Sequence, residues 1–234
     1  MMQNSLFTRK NQSGFTIVEL MIALSVLSVL LIMSSVLLIQ IGRIYSKGVN
    51  LANIQNTNRN VVHDIGSALE FGGQQPITGS ETYLPAGGDA VTVNSFCLDT
   101  TRYSYVVGQQ EAISPDYHPS TGAPQTYHVL WEDTMKTNDN CFPMDITKQV
   151  PTDPPDGVAT QPGSGKELIP LRSRLSVFNI GENPGGSGIY QLEVTIAYGD
   201  NDLLNAAGTN CNGGIGQEYC ATSTLSTVVT RRLR

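Results

Sequence analysis

Between Leu20 and Gly42 the sequence has no charged residue, and no acidic residue precedes Glu19. Charged residues make up only 15% of the chain, there are three histidines and one tryptophan, and Lys plus Arg number 14 against 20 Asp plus Glu. The resulting net charge of −6 leaves no broad cationic surface, which excludes nucleic-acid binding by bulk charge. No C-x-x-C pair, no H-E-x-x-H and no nucleophile elbow occurs, so the sequence carries no recognisable motif for catalysis. His63, His118 and His128 are scattered, which speaks against structural zinc. The expectation is therefore a non-enzyme without cofactor. Hydrophobic residues at 40% exclude a mainly disordered chain, while 23 glycines and 12 prolines favour turns and long loops over a helical bundle.

What is present is concentrated at the N-terminal end. The charge-free run from Leu20 to Gly42 would make a helix of roughly 35 Å at about 1.5 Å per residue, enough to cross a bilayer once. Ser25, Ser28, Ser34, Ser35 and Gln40 interrupt it mildly, because hydroxyls can bond back to the helix's own carbonyls. Arg9 and Lys10 precede the run, so the positive-inside rule places the N-terminus in the cytoplasm and the remainder outside, although Arg43 and Lys47 flank the far end. Glu19 is a lone carboxylate at the edge of this run. An unpaired ionised group at membrane depth costs a few kcal/mol, so it needs a partner unless it lies at the headgroups.

The stretch KNQSGFTIVELMIALSVLSVL, Lys10 to Leu30, resembles the class III signal of type IV pilins, type II secretion pseudopilins and competence pseudopilins. The resemblance implies that prepilin peptidase cuts between Gly14 and Phe15 and methylates the new amine of Phe15. It also implies that Glu19 is the family's early glutamate, pairing with a Phe15 ammonium on a neighbouring subunit during filament assembly. The domain expectations follow: a leader at 1–14, a transmembrane and filament-core helix at 15–42, the amphipathic half of the same helix at 43–71, and an extracytoplasmic β-rich domain at 72–234.

Ile44, Leu51, Ile54, Val61, Ile65 and Leu69 recur at spacings of one helical face, and Gly72-Gly73 is a natural stop. Beyond it, strands are predicted at 90–97, 102–107, 125–131, 171–178, 189–198 and 222–233. In QLEVTIAY, Leu192, Val194, Ile196 and Tyr198 alternate with Gln191, Glu193, Thr195 and Ala197, giving one buried and one wet face. The predicted fold class is α+β, a long N-terminal helix packed on an antiparallel β-sheet in a pilin-like arrangement. Proline-rich stretches at 114–124 and 151–165 are expected as surface excursions.

Cys97, Cys141, Cys211 and Cys220 all fall on the predicted outer side, which suits disulfides in an oxidising compartment. Of three possible connectivities, Cys97–Cys141 with Cys211–Cys220 closes each bridge within a continuous region. On loop entropy the shorter bridge contributes about 2.7 kcal/mol and the longer about 4. The C-terminal block from Arg174, with a strand ending in Ala197-Tyr198-Gly199-Asp200, a disulfide-type loop and a Ser/Thr/Val-rich strand before Arg231 and Arg232, is similar to PilW-like minor pilins and J-type pseudopilins.

Other patterns have plainer readings. Asp200, Asn201, Asp202 and Asn205 could supply oxygen ligands to calcium, yet the spacing fails an EF-hand loop, so a solvated turn is expected. Gly163-Ser164-Gly165-Lys166-Glu167 lacks the first glycine and the Ser/Thr of a phosphate loop and is expected as loop. Tyr103, Tyr105, Tyr117, Tyr127 and Trp131 could form an adhesive surface, but their strand spacing favours packing. The function that follows is a minor pilin or pseudopilin, held in the cytoplasmic membrane and then built into an extracellular or periplasmic filament. Its partners would be prepilin peptidase, other pilins or pseudopilins, an assembly platform protein and membrane lipid before assembly. Retention of Glu19 argues against the topmost tip position. The alternative is a single-span anchored ectodomain with a ligand-binding or hydrolytic role, which requires an uncleaved helix and a polar pocket.

Overall fold

The computed structural model describes residues 14–85, 89–111, 125–135, 140–153, 165–182, 188–214 and 216–232. Most of the two proline-rich stretches falls outside these residues. One long helix, α1 (Ile17–Phe71), opens the described chain, which divides into two compact units, Met1–Ile44 and Tyr45–Arg234.

In the first unit every large apolar side chain of the helix is exposed. The serines behave as hydroxyls in a dry helix must. Ser25 Oγ donates to Ile22 O at 2.8 Å, and Ser28, Ser34 and Ser35 donate to the carbonyls four residues back at 2.7–2.8 Å.

In the second unit α1 buries one stripe, Ile54, Asn58, Val61, Val62, Ile65 and Leu69, whose three- and four-residue steps keep them on one face. Leu51 packs at its margin, whereas Ile44, expected on this face, is exposed. The helix stops as Gly72 N–H bonds Ala68 O at 2.8 Å, and the Asp99 carboxylate takes the next two amides, Gly73 at 2.8 Å and Gln74 at 3.0 Å. A Cβ on Gly72 would lie 2.8 Å from that same Ala68 oxygen, so glycine is required here.

The strands are β1 (Ile77–Tyr83), β2 (Val91–Leu98), β3 (Thr101–Tyr105), β4 (Gln110–Glu111), β5 (Gln125–Thr126), β6 (Leu130–Thr134), β7 (Lys166–Glu167), β8 (Ser173–Glu182), β9 (Ile189–Tyr198) and β10 (Ala221–Thr230). They form two five-stranded sheets, ordered β1-β2-β3-β6-β7 and β10-β9-β8-β4-β5, antiparallel throughout except for the short β4–β5 pair. Helix and sheets share one core: Ile54, Val61 and Ile65 meet Phe96 and Leu130 of the first sheet and Leu192 and Ile196 of the second. The fold is thus α+β, with the helix on antiparallel sheets as expected.

Several expectations are corrected. A single sheet was expected and there are two. The strand expected at 125–131 is two strands, β5 and β6, in different sheets. Lys166-Glu167, expected as loop, is β7, although Gly163 and Ser164 lie outside the described residues. β1 has no strand signal in the sequence because I-T-G-S-E-T-Y has few apolar residues; it is an edge strand with mostly exposed side chains. Its Gly79 is needed because a Cβ there would collide with the Cys141 carbonyl oxygen. The wet face expected on β9 is open at Gln191 and partly open at Glu193 but closed at its C-terminal end, where Thr195 and Ala197 are buried. Ala197 packs under Leu204 and Cys220, where the loop between β9 and β10 folds over the sheet.

Two buried polar contacts fix this arrangement. Asn58, fully buried in the helix stripe, donates through Nδ2 to Val194 O at 3.1 Å and Ser223 O at 2.8 Å, tying α1 to β9 and β10. In the first sheet Arg102 and Asp133 face each other across β3 and β6 and pair bidentately, Nε to Oδ1 at 2.9 Å and Nη2 to Oδ2 at 2.6 Å. Both are buried, and the third guanidinium nitrogen reaches Phe142 O at 2.7 Å.

That last bond belongs to a strap. Residues 140–147 form no named strand, yet they are held by side chains from three strands of the first sheet. The Cys97–Cys141 disulfide and Ser95 Oγ hold Cys141, Tyr83 OH donates to Pro143 O at 2.7 Å, and Ser104 Oγ accepts from Met144 N–H at 2.9 Å. Burial, reinforced by Asp145, pushes the Tyr83 hydroxyl up, so it remains a protonated donor.

Asp133→Ala removes the bidentate partner of buried Arg102 and leaves Asp153, 3.6 Å from Nη2, as its remaining carboxylate, and denaturant unfolding of the full chain is expected to show a loss of about 3–5 kcal/mol. Asn58→Ala removes the helix-to-sheet bonds and is expected to cost about 1–3 kcal/mol in the same measurement. A change under half a kcal/mol in either variant would contradict these roles.

Candidate functional site

The start of α1 is built by its own sequence. Thr16-Ile17-Val18-Glu19 is a capping box, in which the first residue caps the helix and the fourth reaches back. Glu19 N–H donates to Thr16 Oγ1 at 3.3 Å, while Glu19 Oε2 accepts from Thr16 N–H at 3.1 Å and from the Thr16 hydroxyl at 3.0 Å. The carboxylate also lies in the first turn, where the helix dipole favours an anion. The lone acid of the apolar segment therefore has a local partner set, which the T-x-x-E spacing could have revealed. Its bonded amide is one residue from the Phe15 nitrogen.

Gly14 and Phe15 precede the helix, with Phe15 84% exposed. From there the apolar surface runs without relief: α1 is long and apolar enough to cross a membrane, and none of its apolar window is buried. Such a surface, apolar on all sides, requires lipid or other apolar helices around it.

The cysteines pair as Cys97–Cys141, with Cα atoms 5.9 Å apart, and Cys211–Cys220, also 5.9 Å apart. The first ties the strap to β2. The second closes the loop over β9. The calcium candidates have other partners or face solvent. Asn201 Oδ1 accepts from the Arg174 guanidinium, Asp200 lies 3.8 Å from Arg172, Asn205 Oδ1 takes the amides of Thr209 and Asn210, and Asp202 is exposed. Of the aromatics, Tyr103 is buried against Phe96 and Tyr105 packs on Phe178 with the rings tilted and their centroids 4.3 Å apart, so these two pack rather than present a surface. Tyr117 lies outside the described residues.

The fold does assemble one group that sequence spacing did not suggest. Glu111 of β4, His128 and Glu167 of β7 each bring one potential ligand atom within 4.8 Å of the other two, the only such group among the described residues. They are 17 and 39 residues apart in the chain, so no local pattern announces them. Burial, with the Glu167 charge beside it, pushes the Glu111 carboxyl up to about 8.

Residues 9–35 match the family model of the prokaryotic N-terminal methylation motif. No curated protein and no solved structure matches the chain. The matched segment contains Gly14, Phe15, Glu19 and the first turns of the exposed helix, and a methylation motif leading into a membrane-length apolar helix supports a type IV pilin-like precursor.

Proposed function

We propose that this chain is a minor pilin or pseudopilin, a structural subunit that prepilin peptidase cuts between Gly14 and Phe15, methylates at Phe15 and releases for assembly into a type IV pilus or type II secretion-like filament. The observation that carries the reading is a methylation motif at the head of a helix whose large apolar side chains are all exposed from Phe15 to Ile44. Before assembly that surface is covered by the lipid of the cytoplasmic membrane, with the C-terminal domain outside. In the filament it is covered by the helices of other pilins, loaded through the assembly platform protein.

Glu19 sets the register of that exchange. In the uncut chain its carboxylate serves the Thr16 amide and hydroxyl. Cleavage after Gly14 creates an ammonium at Phe15, and a neighbouring subunit's ammonium forms a charge-assisted contact that a neutral amide cannot match. Losing residues 1–14 also removes Arg9 and Lys10, leaving 12 basic against 20 acidic residues and a net charge of −8. Within this class the PilW-like or J-type assignment is supported by the C-terminal order: β9 ending at Tyr198, the Cys211–Cys220 loop, then β10 and Arg231.

The reading is tested by the intact mass and N-terminal sequence of the protein made in membranes with and without prepilin peptidase. The expected mature chain begins at methylated Phe15 only when the enzyme is present. Retention of Met1 to Gly14 in cells with an active peptidase would overturn it.

A further inference from the structure

The Glu111, His128 and Glu167 side chains form a cluster in which two buried atoms, Glu111 Oε2 and His128 Nδ1, have no hydrogen-bond partner. Gln149 O can only accept, so the 3.2 Å contact from His128 Nε2 places the ring proton on that nitrogen. In the neutral ring, Nδ1 is then a bare lone pair. It makes no hydrogen bond and lies 3.5 Å from Glu167 Oε2. Glu167 is held as an acceptor by three backbone amides, Val129 at 3.0 Å, Leu130 at 3.0 Å and Ile169 at 3.2 Å. Glu111 closes the third side; it is only 9% exposed, and its Oε2 is buried with no hydrogen-bond partner. Its backbone is fixed by Arg172 N–H donating to Glu111 O at 3.1 Å, and Gln110 Nε2 pins the same loop through Arg172 O at 2.9 Å.

His128 Nδ1 and Glu111 Oε2, both without a donor, face the Glu167 carboxylate in a largely buried site, and a cation among them would satisfy all three and take the place of the proton that burial favours on Glu111. We propose that Glu111, His128 and Glu167 bind a divalent transition-metal ion of the zinc class. The donor set selects the ion: an imidazole nitrogen with two carboxylates suits zinc and its neighbours, whereas calcium and magnesium take all-oxygen shells. His128 already has the outer bond typical of a metal-bound imidazole, its second nitrogen donating to a carbonyl. Ligand atoms around a tetrahedral zinc lie about 3.4 Å apart for bonds of about 2.1 Å. The His128–Glu167 pair stands near that spacing, and the ion draws Glu111 in by side-chain rotation.

The site has a structural consequence. Glu111 belongs to β4 in one sheet and Glu167 to β7 at the edge of the other, while His128 sits in the link from β5 to β6. A bound ion clasps the two sheets where the described ladders are shortest, two residues in each of β4, β5 and β7. It supplies there what the two disulfides supply elsewhere in the domain.

The test uses the untagged full-length protein in detergent, stripped with EDTA, dialysed against Zn2+ alone and washed. One zinc per chain by elemental analysis is expected, together with a raised Tm. In His128→Ala and the isosteric Glu111→Gln, zinc affinity is expected to fall at least tenfold and the Tm gain to vanish. His63→Ala, whose ring is exposed, should bind as the wild type does. No retained zinc in the wild type, or equal retention in His128→Ala and Glu111→Gln, would overturn the proposal. So would a His128 ring that NMR shows doubly protonated and unchanged by Zn2+, because a proton would then be the missing cation.

Discussion

A helical surface that is apolar on every side cannot remain in water, and the rest of the molecule is arranged around that constraint. From Leu20 to Gly42 no side chain carries charge, and each buried aliphatic group of this size is worth about 1.5–3 kcal/mol. Even the polar residues comply. The four serines return their hydroxyl protons to the helix, so they present no unsatisfied donor to a hydrocarbon or helical environment. Glu19 is the carboxylate at the start of this surface, and the helix start satisfies it through Thr16. A segment built this way is suited to lipid and to the company of similar helices, as the proposed passage from membrane to filament requires.

The second half of the same helix solves the opposite problem. It buries a single stripe and anchors it with Asn58, whose amide spans to two strands. Position is fixed by directional bonds as well as by packing, because a purely apolar stripe can slide by a turn at little cost, whereas a buried amide that loses its partners cannot. The Arg102–Asp133 pair plays the corresponding part in the first sheet, and its third contact recruits the strap at Phe142. The domain therefore rests on a few directional polar contacts set in an ordinary apolar core.

Much of this was legible in the sequence, for identifiable reasons. The charge-free run, the 3.6-residue period of Ile54, Val61, Ile65 and Leu69, and the Gly72 stop are local signals, and local signals survive folding. The alternation in β9 was equally visible on the face that meets the helix. Its other face is wet only in part, because Ala197 is covered by a loop that the strand's own sequence does not encode. β1, β4 and β7 were missed for a related reason: short or edge strands need little apolar patterning, and their pairing is decided by partners far along the chain. The Glu111, His128 and Glu167 cluster is the extreme case, since three residues from separate elements meet only after both sheets have formed. At Glu19 two local signals overlap: the T-x-x-E spacing makes the residue part of a helix cap, and the apolar run beside it makes the same carboxylate costly in a membrane.

The central claim is that the exposed helix and Glu19 exist for assembly with other subunits. The most direct measurement is the amount of this protein in filaments sheared from cells that produce the full chain, compared with a Glu19→Ala variant whose membrane level is matched. The account predicts wild-type protein in the sheared fraction and a loss of at least tenfold for Glu19→Ala, with cleavage after Gly14 unchanged. Equal recovery of both proteins in filaments, or absence of the wild type from any sheared fraction while it remains in the membrane, would contradict it.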